Sequence, residues 1–514
     1  MKIGVAVFAL ALIAAGPIAA QEPTPGSSCA GIAANAVRWS GGPENSGMYY
    51  NLRCQSSVWQ SQVIFSSTNV GFGYQVLQNS VGASNTGVGY NALSANTSGA
   101  YNTALGRSAL GLNLTGENNT AVGFAAQRDN TTGTDNTAIG YYALTGNTTG
   151  TGNTALGRSA LRSNLTGGNN TAVGHMALYN NVDGQNNTAL GYYALRENTS
   201  GGANTAVGFT ALQDNTTGAN NTTIGFYALS DNTTGTGNTA LGVQALRSNT
   251  TASNLTAVGY SALYSNTTGA SNTAIGVDAL AYNTTGGSNT AVGQQALRSN
   301  TTAFGNTAVG ANTLTNNTGA DNAALGSGTL FNNTSGRYNT ALGAGAMFTN
   351  STGDSNTAVG KYTLSSATNS GNTAVGADAL VSLTSGANNT AIGNSVGSTT
   401  LATGSNNILI GTNNTVDAPA AGTSNFLSIG NTIYGTNLAA GNARIGITVA
   451  APESAFHVPD GKYVQFEDNN AGAPPAADCD NNAERGRQSI DTTNNRLYIC
   501  NGATRGWDYI ALTN

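Results

Sequence analysis

Charge is what this chain has least of. Lys and Arg number 18 and Asp and Glu 23 in 514 residues, so 8% of positions are charged, where an ordinary soluble protein has about 25%. With so few cations and a formal net charge of −5, the electrostatic footprint of phosphate binding is missing, and no nucleic-acid partner is expected. Disorder is disfavoured as well, because polar disordered chains carry high net charge. Histidine is nearly absent: His175 and His457 are far apart and form no pair or triad. The Ser and Thr hydroxyls recur without a base beside them, and Asp129, Asp214 and Asp231 read as solvated residues just before turns. The calcium-roll pattern Gly-Gly-x-Gly-x-Asp does not occur, and the four Cys have no second ligand at zinc spacing. The expectation is therefore a non-enzymatic chain with no cofactor and no metal.

Long apolar runs are also lacking, with one exception at the start. Met1-Lys2, the run Ile3 to Ala15 and the small residues Pro17-Ile18-Ala19-Ala20 before Gln21 read as an export signal over residues 1–20. That run is short for a bilayer span. Gly26-Ser27-Ser28 before Cys29 is no lipid-attachment motif. The expected mature chain is secreted or at the cell surface, with no membrane span once the signal is removed.

In place of charge the chain has Asn, Thr, Ser and 69 Gly, and they are arranged in a repeat. The unit is Asn-Thr-Ala-(Val/Leu/Ile)-Gly-x-x-Ala-Leu-x-x-Asn-Thr-Thr-Gly-x-x. Its first Gly recurs 21 times between Gly73 and Gly411, and 16 of the 20 intervals are 17 residues long. One short interval loses its residue at Asn317-Thr318-Gly319, and another is short around Ser366 to Gly371. Turns tolerate such deletions and paired strands do not, so Asn-Thr-Thr-Gly is the turn, as its residue types suggest. Asn, Thr and Gly every few residues argue against helix. The remainder reads as two short strands, Asn136 to Gly140 and Tyr141 to Leu144 in one unit. Stacked at about 4.8 Å, 20 such rungs would make a rod on the order of 100 Å long. Each rung has few large apolar groups to bury against the entropy of ordering it. Ladder hydrogen bonds and stacked Asn and Thr must supply much of the rest, and oligomerisation is the economical supplement.

Runs such as Asn136-Thr137-Ala138-Ile139-Gly140-Tyr141-Tyr142-Ala143-Leu144 resemble the head repeats of bacterial trimeric autotransporter adhesins, and still more the related repeats of phage-type tail fibres. The resemblance covers residues 69–411 and implies a trimeric, left-handed β-roll that acts as an adhesive or structural fibre. Residues 426–447 are similar to the neck that follows such repeats in tail fibres. Two features depart from those families: Trp507 to Asn514 does not close a membrane barrel, and no self-cleaving chaperone domain ends the chain.

Both ends read as copies of one small module. Cys29 and Cys54 lie 25 residues apart and Cys479 and Cys500 lie 21 apart, and each second Cys ends a strand and is followed by a Trp, Trp59 or Trp507. An exported chain permits a disulfide within each module. The expected organisation is an all-β chain: signal 1–20, Cys-closed β module 21–68, repeat β-roll 69–411 of about 20 rungs, neck 412–460 and a second Cys-closed module 461–514. The modules cap the stack, or else join chains end to end.

The slots after the motif Gly form outward stripes. One carries Tyr141, Arg158, Tyr192, Phe209 and Phe226, with His175 among them; the other, after the Leu, carries Arg162, Arg196, Arg247 and Arg298, with Tyr179 and Tyr264. Beyond Tyr260 the first stripe changes to small or polar residues such as Ala311, Ser327 and Ala344. These stripes are candidates for packing between protomers or for an adhesive face toward glycans or matrix. The expected function is contact without catalysis: an adhesin, alternatively the subunit of an extracellular filament, less favourably an ice-binding protein with Thr ladders.

Overall fold

The computed structural model describes residues 68–438 without a break, together with 37–41, 49–55, 58–65, 443–448, 456–457, 488–491, 496–500 and 507–511. Residues 1–20, read as an export signal, and Cys29 and Cys479 lie outside the described residues. The chain divides into two compact units, Met1–Gly371 and Asn372–Asn514. The described residues are all-β, with no helix.

In the first unit each 17-residue repeat is one coil of a parallel β-solenoid. The register is unbroken: Thr137 lies beside Thr154, Ala138 beside Ala155 and Ile139 beside Leu156. This pairing runs through 18 strands from Val70–Phe72 to Thr357–Val359. The second unit holds four parallel strands, Thr373–Val375, Thr390–Ile392, Ile408–Ile410 and Leu427–Ile429. The last of these adds a coil beyond Gly411, with Phe426 buried in the slot that Asn fills in most other coils.

Each coil has one strand, not two. The expected second strand, Tyr141 to Leu144, is a turn, because left-handed residues alternate through it: Gly140 has φ 143°, Tyr142 58° and Leu144 52°. The segment still joins coils. The Tyr142 N–H donates to the Phe124 carbonyl one coil back, and the Leu144 N–H donates to the Ala160 carbonyl one coil on, both at 2.9 Å. A left-handed non-glycine residue costs roughly 1–2 kcal/mol. Here the backbone bonds and the full burial of Leu144 offset it.

The core also differs from the expectation. The strand's Val, Leu or Ile points outward, and its Ala points in. The buried groups of a coil are two Ala, one Leu and two Asn, and most of those Asn are fully inaccessible. Asparagine is normally an exposed residue, and it is buried here because, with few exceptions, its polar atoms find partners. Asn119 donates from Nδ2 to Asn102 Oδ1 at 3.1 Å and to the Gly133 carbonyl at 2.9 Å, and its own N–H donates to the same Oδ1 at 3.0 Å. In the second ladder Asn130 Nδ2 donates to Asn113 Oδ1 at 2.6 Å and, again, to Gly133 O at 2.9 Å. The carbonyl of the residue that ends Asn-Thr-Thr-Gly thus ties the two amide ladders together inside the coil.

Irregular coils show what the ladders require. Gln127 takes a Leu slot and sends its Nε2 to Asn119 Oδ1 at 2.8 Å. Leu255 takes an Asn slot, donates its N–H to Asn238 Oδ1 at 3.0 Å and offers no amide oxygen to the next coil. Asn350 Oδ1 is buried without a partner, since the next coil has Ala367 in that slot.

The N-terminal edge of the first unit is covered. Phe65, Ile64 and Val63 pair antiparallel with Val70, Gly71 and Phe72, so the strand Val58–Phe65 caps the first coil. In the second unit the last coil is met by an antiparallel hairpin from the neck, Ile433–Thr436 with Arg444–Ile447. The C-terminal sheet, Gln488–Asp491, Arg496–Cys500 and Trp507–Ala511, pairs only within itself among the described residues.

The two terminal modules share one register. Cys54 lies opposite Trp59 and Cys500 opposite Trp507. The residue before each Cys, Arg53 or Ile499, lies opposite the first residue of the first strand, Val37 or Gln488. Both are three-stranded antiparallel meanders.

Candidate functional site

The first stripe is a stacked column, one side chain per coil. Tyr74 stacks on Tyr90 with ring centroids 5.2 Å apart, and Arg107 lies 5.3 Å from Tyr90 and 5.8 Å from Phe124. Phe124 stacks on Tyr141 at 5.2 Å, and Arg158 lies 5.8 Å from Tyr141. His175, Tyr192, Phe209 and Phe226 continue it at 5.1, 5.2 and 5.3 Å. These separations are close to the rung spacing of a parallel sheet, so the backbone sets the stack. Tyr141, Tyr192, Phe209 and Phe226 are exposed. Their faces are covered by neighbouring rings, so the column presents ring edges, Tyr hydroxyls and guanidinium groups to solvent.

The second stripe is held by Tyr179 and Tyr264, which the sequence reading placed in it, and by Tyr142, Tyr193, Tyr227 and Tyr282, which it did not single out. Arg162 lies over Tyr142 at 5.0 Å and donates to Tyr179 Oη at 2.7 Å. Arg196 lies 4.8 Å from Tyr193, and Arg247 lies 5.1 Å from Tyr227 and donates to Tyr264 Oη at 3.0 Å. Arg298 lies 5.0 Å from Tyr282. The doubled aromatics Tyr141-Tyr142, Tyr192-Tyr193 and Phe226-Tyr227 are the sequence signal: the first member joins the outer column and the second supports an Arg. Cation–π contact and half-burial of the Arg stems make this stripe a packed surface.

From residue 311 the columns open into a groove of about 340 Å³, lined by Asn312, Ser327, Gly328, Phe331, Ala344, Gly345, Phe348 and Tyr362. Phe331 and Phe348 stack at 5.2 Å along it.

The acidic slots are less uniform than solvated turns. Asp129 pairs with Arg128 at 2.6 Å, and this bond raises the Arg128 pKa further. Asp214 lies between Glu197 and Asp231 of the adjacent coils, and its carboxyl is pushed above the ordinary carboxylate range, first by burial and then by those two charges, against a hydrogen bond from Gln213. A carboxyl raised in the folded state destabilises once ionised. The penalty is absent below the unfolded-state pKa, grows as pH rises toward the folded-state value and is constant above it. Asp214→Asn is therefore expected to melt higher than the parent at pH 7, with the difference vanishing near about pH 3. Thermal melts across that range check it, and an equal gain at both ends would refute the assignment.

Among the described residues no group of three or more His, Cys, Asp or Glu is placed to hold a metal ion. Comparisons with protein-family models, curated proteins and solved structures find no match to this chain.

Proposed function

We propose that this is an exported, non-catalytic fibrous protein that works by contact, with the column from Tyr74 to Phe226 and its flanking Arg–Tyr pairs as the adhesive face. The observation that carries this reading is the continuous outward stack of aromatic and cationic groups over ten coils, built on a solenoid of fixed spacing. The repeat's resemblance to autotransporter adhesin heads and tail fibres supports it. Ring edges, phenol hydroxyls and guanidinium groups suit a hydroxyl-rich surface such as glycan or matrix, bound along a line of many weak contacts. The test is retention of the mature protein on arrayed glycans and on matrix proteins. Replacing Tyr192, Phe209 and Phe226 together by Ala is expected to cut retention at least tenfold with the β spectrum unchanged. Equal retention would sink the adhesive assignment.

A filament subunit is the second reading, favoured by the common register of the two terminal modules and consistent with one disulfide in each, Cys29–Cys54 and Cys479–Cys500. Electron microscopy of the oxidised protein separates discrete particles from chains joined at their ends.

A further inference from the structure

In three successive coils the outward columns are interrupted. The first slot after the motif glycine holds only Ala311, Ser327 and Ala344, where every other coil of the first unit has a larger side chain. The next slot is Gly328 and Gly345 in two of them, and glycine in no other of the 21 repeats. The same two coils are the only ones in which Phe follows the buried Leu or Met, as Phe331 and Phe348. A Cβ on Gly345 would lie 2.5 Å from the Tyr362 ring and one on Gly328 3.6 Å from Phe348, so the rings rest against bare backbone. They do not refill the space that the small residues vacate. About 340 Å³ stays open, within the range of ligand sites, and Phe348 and Tyr362 are 39 and 48% exposed. The recess follows the stack for on the order of 14 Å.

We infer that this groove binds a neutral sugar, one or two pyranose rings of a glycan. None of its lining residues is charged, so an ionic ligand would lose water there without gaining a counter-charge. An apolar side chain or lipid tail would cover Asn312 and Ser327, whose side chains form no hydrogen bond among the described residues, and would leave them unsatisfied. A pyranose answers both demands. Its C–H face packs on the rings of Phe331, Phe348 and Tyr362, and its hydroxyls exchange hydrogen bonds with Asn312, Ser327 and the Tyr362 phenol. An amide and two hydroxyls both donate and accept, as a sugar's own hydroxyls require. The groove lies beyond the column from Tyr74 to Phe226, and the inference stands whether or not that column is adhesive.

The test is saturation-transfer NMR of the mature protein with maltose, lactose and diacetylchitobiose at millimolar concentration. At least one is expected to receive saturation from the protein. Ser327→Phe with Ala344→Tyr refills the slots with residues that the chain itself carries there at Phe209 and Tyr192. It is expected to cut the transfer by about fivefold or more with the β spectrum unchanged. Phe331→Ser with Phe348→Ser follows Ser230 and Ser365 in the same slot and is expected to do the same by removing the walls. Tyr192→Ala, Phe209→Ala and Phe226→Ala together are expected to leave the transfer intact. No transfer to any of these sugars overturns the inference, as does a folded refilled variant with the parent's signal. Indole or sialyllactose binding in the groove in place of the neutral sugars would overturn it too. Transfer lost in the column variant alone would sink the groove and spare the adhesive column. Transfer lost in the groove variants alone, with retention on arrayed glycans and matrix unchanged by the column variant, would sink the adhesive column and keep the groove.

Discussion

Asn164→Asp is expected to destabilise the first unit by on the order of 3–5 kcal/mol at pH 7, although it changes no volume. Asn164 Nδ2 donates to Asn147 Oδ1 at 2.8 Å and to the Gly167 carbonyl at 2.9 Å, while its Oδ1 accepts from Asn181 Nδ2 at 2.7 Å. A carboxylate would set an acceptor against two acceptors in a site with no solvent access. The folded state would hold that carboxyl above its ordinary pKa, so stability returns in part as pH falls and a protonated oxygen can donate again. Denaturant titrations at pH 7 and about pH 4 measure both effects. A variant as stable as the parent at pH 7 would show that the ladder contributes nothing.

Gly157→Ala is the second large effect, expected to cost on the order of 4 kcal/mol or to prevent folding of the stack. Gly157 has φ 135°, and an added Cβ would lie 2.5 Å from the Gly174 carbonyl oxygen of the next coil. Backbone stands on both sides of the clash, so relief means opening the coil spacing. The glycine that ends Asn-Thr-Thr-Gly is a useful contrast: an added Cβ at Gly218 would lie as close, 2.4 Å from the Gly235 carbonyl oxygen, but no positive φ adds strain there, and Ala252 and Ala303 already occupy that slot in two coils. Gly218→Ala is expected to be clearly milder than Gly157→Ala. Paired melting curves decide it, and equal losses would remove the distinction between the two glycines.

The period and the all-β class were legible because the recurring glycines and the residue types mark them directly. The inside and the outside of the coil were not. Hydrophobicity argues that Ile139 is buried and Asn136 is exposed, and the reverse holds. Asn136 is silent in isolation and becomes a core residue only when Asn119 and Asn153 stand above and below it with matched donors and acceptors. The second strand failed for a related reason: Tyr142 and Leu144 are ordinary strand residues, and their left-handed backbone is imposed by neighbouring coils. Of the candidate face, Tyr141, Arg158, Tyr192, Phe209 and Phe226 do line one outward column. Tyr142, Tyr193 and Tyr227 beneath the second stripe had a signal in the doubled aromatics, but only the geometry shows that each supports an Arg.

The amide ladders also have a sense. In both, each coil donates to the one that precedes it in the chain, as Asn119 does to Asn102 and Asn130 to Asn113. Aligned amides polarise one another, so the coils form a vector, not a symmetric pile. A chain made from its N-terminus adds every new coil donors-first onto acceptors already presented, and assembly can proceed as a zipper in the direction of synthesis. Leu255, which accepts nothing through its side chain, is a gap in one of the two tracks, and growth past it depends on the other.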